Sequence, residues 1–67
     1  MDIFINGKKF SFDEAQNLGQ ILEEFPLRQE LGFAVALNAR VIPKSELRET
    51  SVKEGDEIEV IQATTGG

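Results

Sequence analysis

The chain has 67 residues, 40% of them apolar and 28% charged, which fits one small soluble domain and leaves no room for a second. It contains no Cys, His, Trp or Tyr, so thiol nucleophiles, imidazole bases, the usual zinc sites and disulfide staples are excluded. Seven basic against twelve acidic residues give a net charge of −5, which repels nucleic acid, attracts a basic partner and keeps a small protein dissolved.

The first six residues alternate. Met1, Ile3 and Ile5 fall on one side and Asp2, Phe4 and Asn6 on the other, the period of a half-buried strand. Asn6-Gly7 follows, and both residues tolerate positive φ, so the pair predicts a hairpin. Lys8 to Phe12 alternates again, with Phe10 and Phe12 on one face and Lys9 and Ser11 on the other. The opening segment carries an acid and no long apolar run, so neither a secretory leader nor a membrane span is expected, and the cytoplasm is the default compartment.

Asp13 to Gln16 reads as a polar connection. Asn17 can cap a helix through its side-chain oxygen, with Gln20 reaching back from the third helical position. Leu18, Ile21, Leu22 and Phe25 then fall at i, i+3, i+4 and i+7, one apolar stripe, with Gln20, Glu23 and Glu24 on the wet side. Pro26 disfavours helical geometry at Phe25 and stops the helix there. Gly19, in the first turn, weakens the helix by at most about 1 kcal/mol.

Leu27 to Gly32 is a connection. Phe33, Val35 and Leu37 alternate with Ala34 and Ala36 and predict a strand ending near Asn38. Asn38 to Arg40 is a turn, and Val41-Ile42 a very short strand closed by Pro43. Lys44 to Thr50 has room for one helical turn anchored by Leu47. Glu54-Gly55-Asp56 is a turn, and Glu57 to Gln62 alternates, with Ile58 and Val60 on one face and Glu59 and Ile61 on the other. One amphipathic helix must therefore cover one face of one sheet, an α+β arrangement.

Residues 1–62 make the domain, and 63–67 a flexible tail with no core-forming side chain. A frayed terminus is its plain structural reading. The functional one is mechanical. A terminal carboxylate is a poor electrophile until it is joined to a nucleotide phosphate, and that requires the chain end to thread a narrow site. Gly66 and Gly67 lack the Cβ that would obstruct such a path. Five extended residues at roughly 3.3 Å each reach about 16 Å beyond the sheet.

Val35-Ala36-Leu37-Asn38, Val41-Ile42-Pro43-Lys44-Ser45-Glu46-Leu47, Glu54-Gly55-Asp56-Glu57-Ile58-Glu59-Val60 and the final Gly66-Gly67 carry a resemblance that covers nearly the whole chain. In these segments it resembles the ThiS family, the ubiquitin-like sulfur carriers of thiamine biosynthesis. Leu47 stands where many relatives have Trp, and Thr65 where a third Gly or a small apolar residue is common. The resemblance implies a β-grasp fold, a mixed four- to five-stranded sheet packed on one helix. It implies that a ThiF-like adenylyltransferase uses ATP to adenylate the Gly67 carboxylate. Sulfur from a persulfide donor then replaces the adenylate, leaving a thiocarboxylate, and a ThiG-like thiazole synthase takes that sulfur. The chain would be a co-substrate and not an enzyme, with no bound cofactor or metal, no nucleic-acid or membrane partner, and a monomeric free state. A chain without cysteine can carry sulfur only on a group created by activation, which agrees with this role.

In the implied fold the first and last strands are neighbours, so Phe4 and Ile61 are expected to form a joint apolar patch on the outward face. Ala34 and Ala36 share that face. Glu57 and Glu59 would be its charged rim, and Thr64 and Thr65 the start of the path to Gly66 and Gly67, together a docking surface. Single exposed apolar residues are also ordinary on surfaces that dock nothing. Glu57 and Glu59 share one face of a strand, as paired catalytic carboxylates would, but a solvated rim accounts for them better. Lys44 and Arg40 could contact a phosphate, but ordinary surface charges account for them better. Three further readings stay open: a sulfur carrier resembling the small subunit of molybdopterin synthase, a ubiquitin-like modifier joined to lysines through Gly67, and a plain binding module. The Val-Ile-Pro-Lys-Ser segment favours the thiamine role over the first of these.

Overall fold

The computed structural model describes residues 1–25 and 32–62. The expected connection up to Leu31 and the tail from Ala63 lie outside the described residues. The elements run β1 (Asp2–Ile5), β2 (Lys8–Ser11), α1 (Leu18–Glu23), β3 (Phe33–Leu37), β4 (Arg40–Ile42), a 3₁₀ helix (Lys44–Glu49) and β5 (Glu57–Gln62). The sheet order is β2-β1-β5-β3-β4. β1 and β5 pair in parallel, and the other neighbours are antiparallel. This mixed five-stranded sheet with one short helix is the β-grasp arrangement.

Both hairpins follow from backbone freedom at two residues. Asn6 and Gly7 have φ of 51° and 84°, and Asn38 and Ala39 have φ of 50° and 71°. Such primed turns match the twist of the strands they join. Ala39 enters the left-handed region with a Cβ, which Gly or Asn would do at lower cost.

The capping box forms as its sequence signature predicts. Asn17 Oδ1 accepts from Gln20 N at 2.8 Å, and Gln20 Oε1 accepts from Asn17 N at 2.9 Å. α1 is shorter than its apolar stripe. Glu24 N donates to Ile21 O at 3.2 Å and Phe25 N to Leu22 O at 3.1 Å, i to i−3 bonds that tighten the last turn. Phe25 thus lies past the helix end, where its ring meets Phe10 edge-on with centroids 6.4 Å apart. The helical turn expected near Leu47 is a six-residue 3₁₀ helix, entered from Pro43.

The core lies between the sheet and α1. Ile3 and Ile5 from β1, Ile58 and Val60 from β5, Val35 from β3 and Ile42 from β4 face Leu18, Ile21 and Leu22. Val52 completes it from a segment without strand periodicity. That segment is fastened to the entry of the helix: Val52 N donates to Gln16 O at 3.2 Å and Leu18 N to Thr50 O at 2.8 Å.

Gly19 is buried where the 3₁₀ helix crosses α1. A Cβ there would meet Arg48 Cγ at 2.7 Å and Arg48 N at 3.4 Å. Its absence lets Arg48 pass over α1 and pair with Glu23. Gly19→Ala gains up to about 1 kcal/mol of helix propensity but incurs an overpacking cost of about 1–3 kcal/mol. A net loss of about 1 kcal/mol is expected, read as a fall in Tm of roughly 4–8 °C. A rise in Tm would show that propensity outweighs the crossing.

Candidate functional site

The candidate site is the outward sheet face around β5, with the chain that continues from it. β5 is the central strand, parallel to β1 and antiparallel to β3. Ile58 and Val60 turn inward and are buried, so Glu57, Glu59 and Ile61 turn outward. Three separate devices hold the strand. At its start, Phe4 N donates to Asp56 O at 2.9 Å. Also there, Asn38 clasps Glu57: Asn38 N donates to Glu57 O at 2.7 Å, and Glu57 N donates to Asn38 Oδ1 at 2.9 Å. Asp56 accepts from Asn38 Nδ2 at 3.0 Å and from Lys53 N at 2.7 Å, which fixes the turn that feeds β5.

The third device lies further along. β1 ends at Ile5, yet the ladder beside β5 does not stop there. Asn6 N donates to Ile58 O at 2.9 Å. The Asn6 carboxamide then acts as the next peptide group: Val60 N donates to its Oδ1 at 2.8 Å, and its Nδ2 donates to Val60 O at 3.3 Å. β5 therefore stays ordered past the point where the first hairpin turns away. The spacing around Asn6 marks the end of a strand and a turn; nothing in it shows which strand its amide would meet.

The register separates two residues expected to form one patch. Phe4 pairs with Glu57, whereas Ile61 lies four residues further along β5 and pairs with Ala34 on β3. Four residues at about 3.3 Å put them roughly 13 Å apart along the strand. Phe4 is 37% exposed and lines a shallow depression with Asn6, Gly7, Glu57 and Glu59. Ile61, at 63% exposure, belongs to a different strip. Its neighbours across the sheet are Ala34, then Ala36, which pairs with Glu59 on one side and Val41 on the other. Val41 is 69% exposed and was not among the expected docking residues. The inward burial of Ile42 next to it is the signal that turns Val41 outward.

Among the described residues, neither Glu57 nor Glu59 takes part in an ion pair. Lys9 Nζ lies 3.6 Å from Asp2 and Arg48 pairs with Glu23. The Ser11 hydroxyl, which donates to Asp2 at 2.8 Å, holds the Asp2 carboxyl below its ordinary value, with the Lys9 charge assisting. The Lys44 ammonium lies 4.5 Å from the centre of the Phe33 ring, and Arg40 is exposed on β4. No group of His, Cys, Asp or Glu among the described residues is arranged to hold a metal ion. No helix among them is long and apolar enough to cross a membrane. Thr64, Thr65, Gly66 and Gly67 lie outside the described residues; the described chain ends at Gln62, the last residue of β5.

A family model described as the ThiS family matches residues 3–67. The chain is 30% identical over 67 residues to the sulfur carrier protein ThiS of Escherichia coli (strain K12), with 100% of both chains covered. It is similar to the crystal structure of the thiamine biosynthesis protein ThiS from Geobacter metallireducens, with a TM-score of 0.80, 28% identity and full coverage of both chains. The solution structure of a thiamine biosynthesis protein from the same organism matches with a TM-score of 0.79 and 30% identity, over 100% of this chain and 88% of the other.

Proposed function

We propose that this chain, which belongs to the ThiS family, is a sulfur carrier for thiamine biosynthesis that bears its sulfur on the Gly67 carboxylate. Full-length similarity to a curated sulfur carrier is the observation that supports this most. The chain's own composition agrees, since it has no thiol on which sulfur could otherwise ride. In the proposed cycle a Gly67 carboxylate oxygen attacks the α-phosphorus of ATP in a partner adenylyltransferase, and pyrophosphate leaves. A persulfide sulfur attacks the acyl carbon and AMP leaves. A thiol then cleaves the sulfur–sulfur bond, and the chain departs as a thiocarboxylate for a thiazole synthase. Every step happens in partner enzymes, and the folded body serves as the part they grip.

The grip is proposed to be the outward face of the sheet. Ile61, Ala34, Ala36 and Val41 give its apolar strip, and Glu57 and Glu59 its charged margin, with Phe4 at the far end. Thr64 and Thr65 would follow Gln62 into the partner and present Gly66 and Gly67. The strip is apolar, the margin acidic and the chain strongly acidic overall, which suits a partner with basic groups around an apolar ridge. Ile61→Glu should weaken binding to the adenylyltransferase at least about tenfold while leaving Tm nearly unchanged, because that side chain is mostly in water already. Calorimetric titration measures it, and an unaltered affinity would remove this face from the proposal.

Incubation with ATP, the cognate adenylyltransferase and a persulfide donor tests the chemistry. The intact mass should change by the exchange of one oxygen for sulfur, and the change should map to the C-terminal peptide. An unchanged mass with a competent partner would overturn it. Thiamine dependence of a deletion strain, with molybdoenzyme activity retained, separates this role from the pterin-directed one.

A further inference from the structure

Of the three asparagines in the chain, Asn6 alone precedes a glycine; Asn17 precedes Leu18 and Asn38 precedes Ala39. An Asn-Gly bond is the sequence in which a side-chain amide is lost most readily, because no Cβ hinders the backbone nitrogen of the glycine. Gly7 is at the exposed tip of the first hairpin, and the space where a Cβ would stand is open, with nothing within 4 Å. Sequence alone therefore marks Asn6 as chemically labile. The fold opposes this. The carboxamide is held at both ends: its Oδ1 accepts from Val60 N at 2.8 Å, and its Nδ2, the nitrogen that must leave, donates to Val60 O at 3.3 Å.

We propose that Asn6 is a site of spontaneous deamidation gated by the separation of the first hairpin from β5, and that the reaction unfastens β5 just before the tail. Gly7 N attacks Asn6 Cγ, the new C–N bond closes a succinimide, and the Cγ–Nδ2 bond breaks. Ammonia departs with the proton that Gly7 N gives up. Water then opens the ring. Addition at Cγ leaves aspartate, and addition at the backbone carbonyl carbon leaves isoaspartate. No electrons are transferred, and water is the only co-reactant. Either product lacks the Nδ2 donor that Val60 O now accepts from, and aspartate sets a carboxylate against that carbonyl, in the strand next to Glu59. Isoaspartate also adds a methylene to the backbone of a two-residue turn and withdraws the side chain from β5. Each opening that ends in reaction is thus recorded permanently. This inference does not depend on the sulfur-carrying reading.

The full-length protein is held at mildly alkaline pH, folded in buffer and unfolded in urea, and the Asn6 peptide is mapped over time. The folded chain should lose its amide at least about tenfold more slowly, since two hydrogen bonds must open first. The isoaspartate form, separated by ion exchange, should show the Val60 amide exchanging with solvent at least about tenfold faster than in the unmodified protein. Asn17 and Asn38 serve as internal references and should stay intact in the folded chain. Equal rates in the folded and unfolded chains would overturn the gate. Unchanged Val60 exchange in the isoaspartate form would overturn the consequence.

Discussion

A chain shortened by Gly66 and Gly67 is expected to keep its fold and lose sulfur loading completely. Among the described residues the core ends at Val60 and β5 closes at Gln62, and the two glycines carry no side chain that a core could bury. Circular dichroism and Tm should therefore match those of the full chain within about a degree, as for other termini outside a core. The chemistry should fail for two reasons that act together. The new terminus is Thr65, whose β-branched side chain would obstruct the narrow passage that the proposed adenylation requires. The shortened chain also lacks two residues of reach, about 7 Å when extended, so under the proposed cycle its acyl carbon would fall short of the nucleotide while the body stays docked. ATP–pyrophosphate exchange with the cognate adenylyltransferase measures the first step, and intact mass the whole sequence. Persistence of either at the full-length rate would show that Gly67 is not the reactive end.

The second large effect lies in the core. Ile58→Ala is expected to destabilise the protein by about 3 kcal/mol, within the range of about 2–5 kcal/mol for such truncations. Ile58 is 1% exposed and pairs with Ile5 on one side and Leu37 on the other, so the hole would open where both halves of the sheet meet α1. Small domains are held by roughly 0.05–0.15 kcal/mol per residue, or about 3–10 kcal/mol for this length. The substitution should then remove between about a third and all of that stability, and the urea midpoint should fall in proportion. Ile58→Val removes one methylene and should cost about 1 kcal/mol. If Ile58→Ala cost no more than Ile58→Val, the core would be relaxing around the hole, and the central placement of this side chain would lose its force.

The parts of the fold that were legible are those governed by neighbours in the chain. Asn6-Gly7 encoded a turn because two positive φ angles suffice to make one. Asn17 and Gln20 encoded the helix start because four consecutive residues complete the capping box. Alternation in β1, β3 and β5 sorted Ile3, Val35 and Ile58 inward, since the pleat has period two. What stayed hidden depends on partners distant in sequence. The offset of Phe4 from Ile61 is a matter of register between β1 and β5, and no local pattern fixes it. The outward turn of Val41 next to Ala36 needed the β3–β4 pairing. Val52 reached the core from a segment that alternates with nothing. Gly19 looked like a modest defect in a helix and is the gap through which Arg48 passes.

The family segments made the candidate site legible in outline and left its contents open. Glu57, Glu59 and Ile61 could be placed on one face from their spacing alone. Asn6 could not be placed beside Val60, because its carboxamide substitutes for a peptide group in a strand it does not belong to. Side chains that imitate backbone leave no periodic trace.

The Asn6–Val60 bonds join residues 54 positions apart in the chain. The two hairpins can each close over a few residues, but neither contains the strand that lies between them. Assembly of the sheet therefore waits for its middle member, and the entropy of drawing such distant segments together sets the pace. Until that strand arrives, β1 and β3 each present a bare inner edge, so the slow interval of folding is also the one in which this chain is most open to sticking to its neighbours.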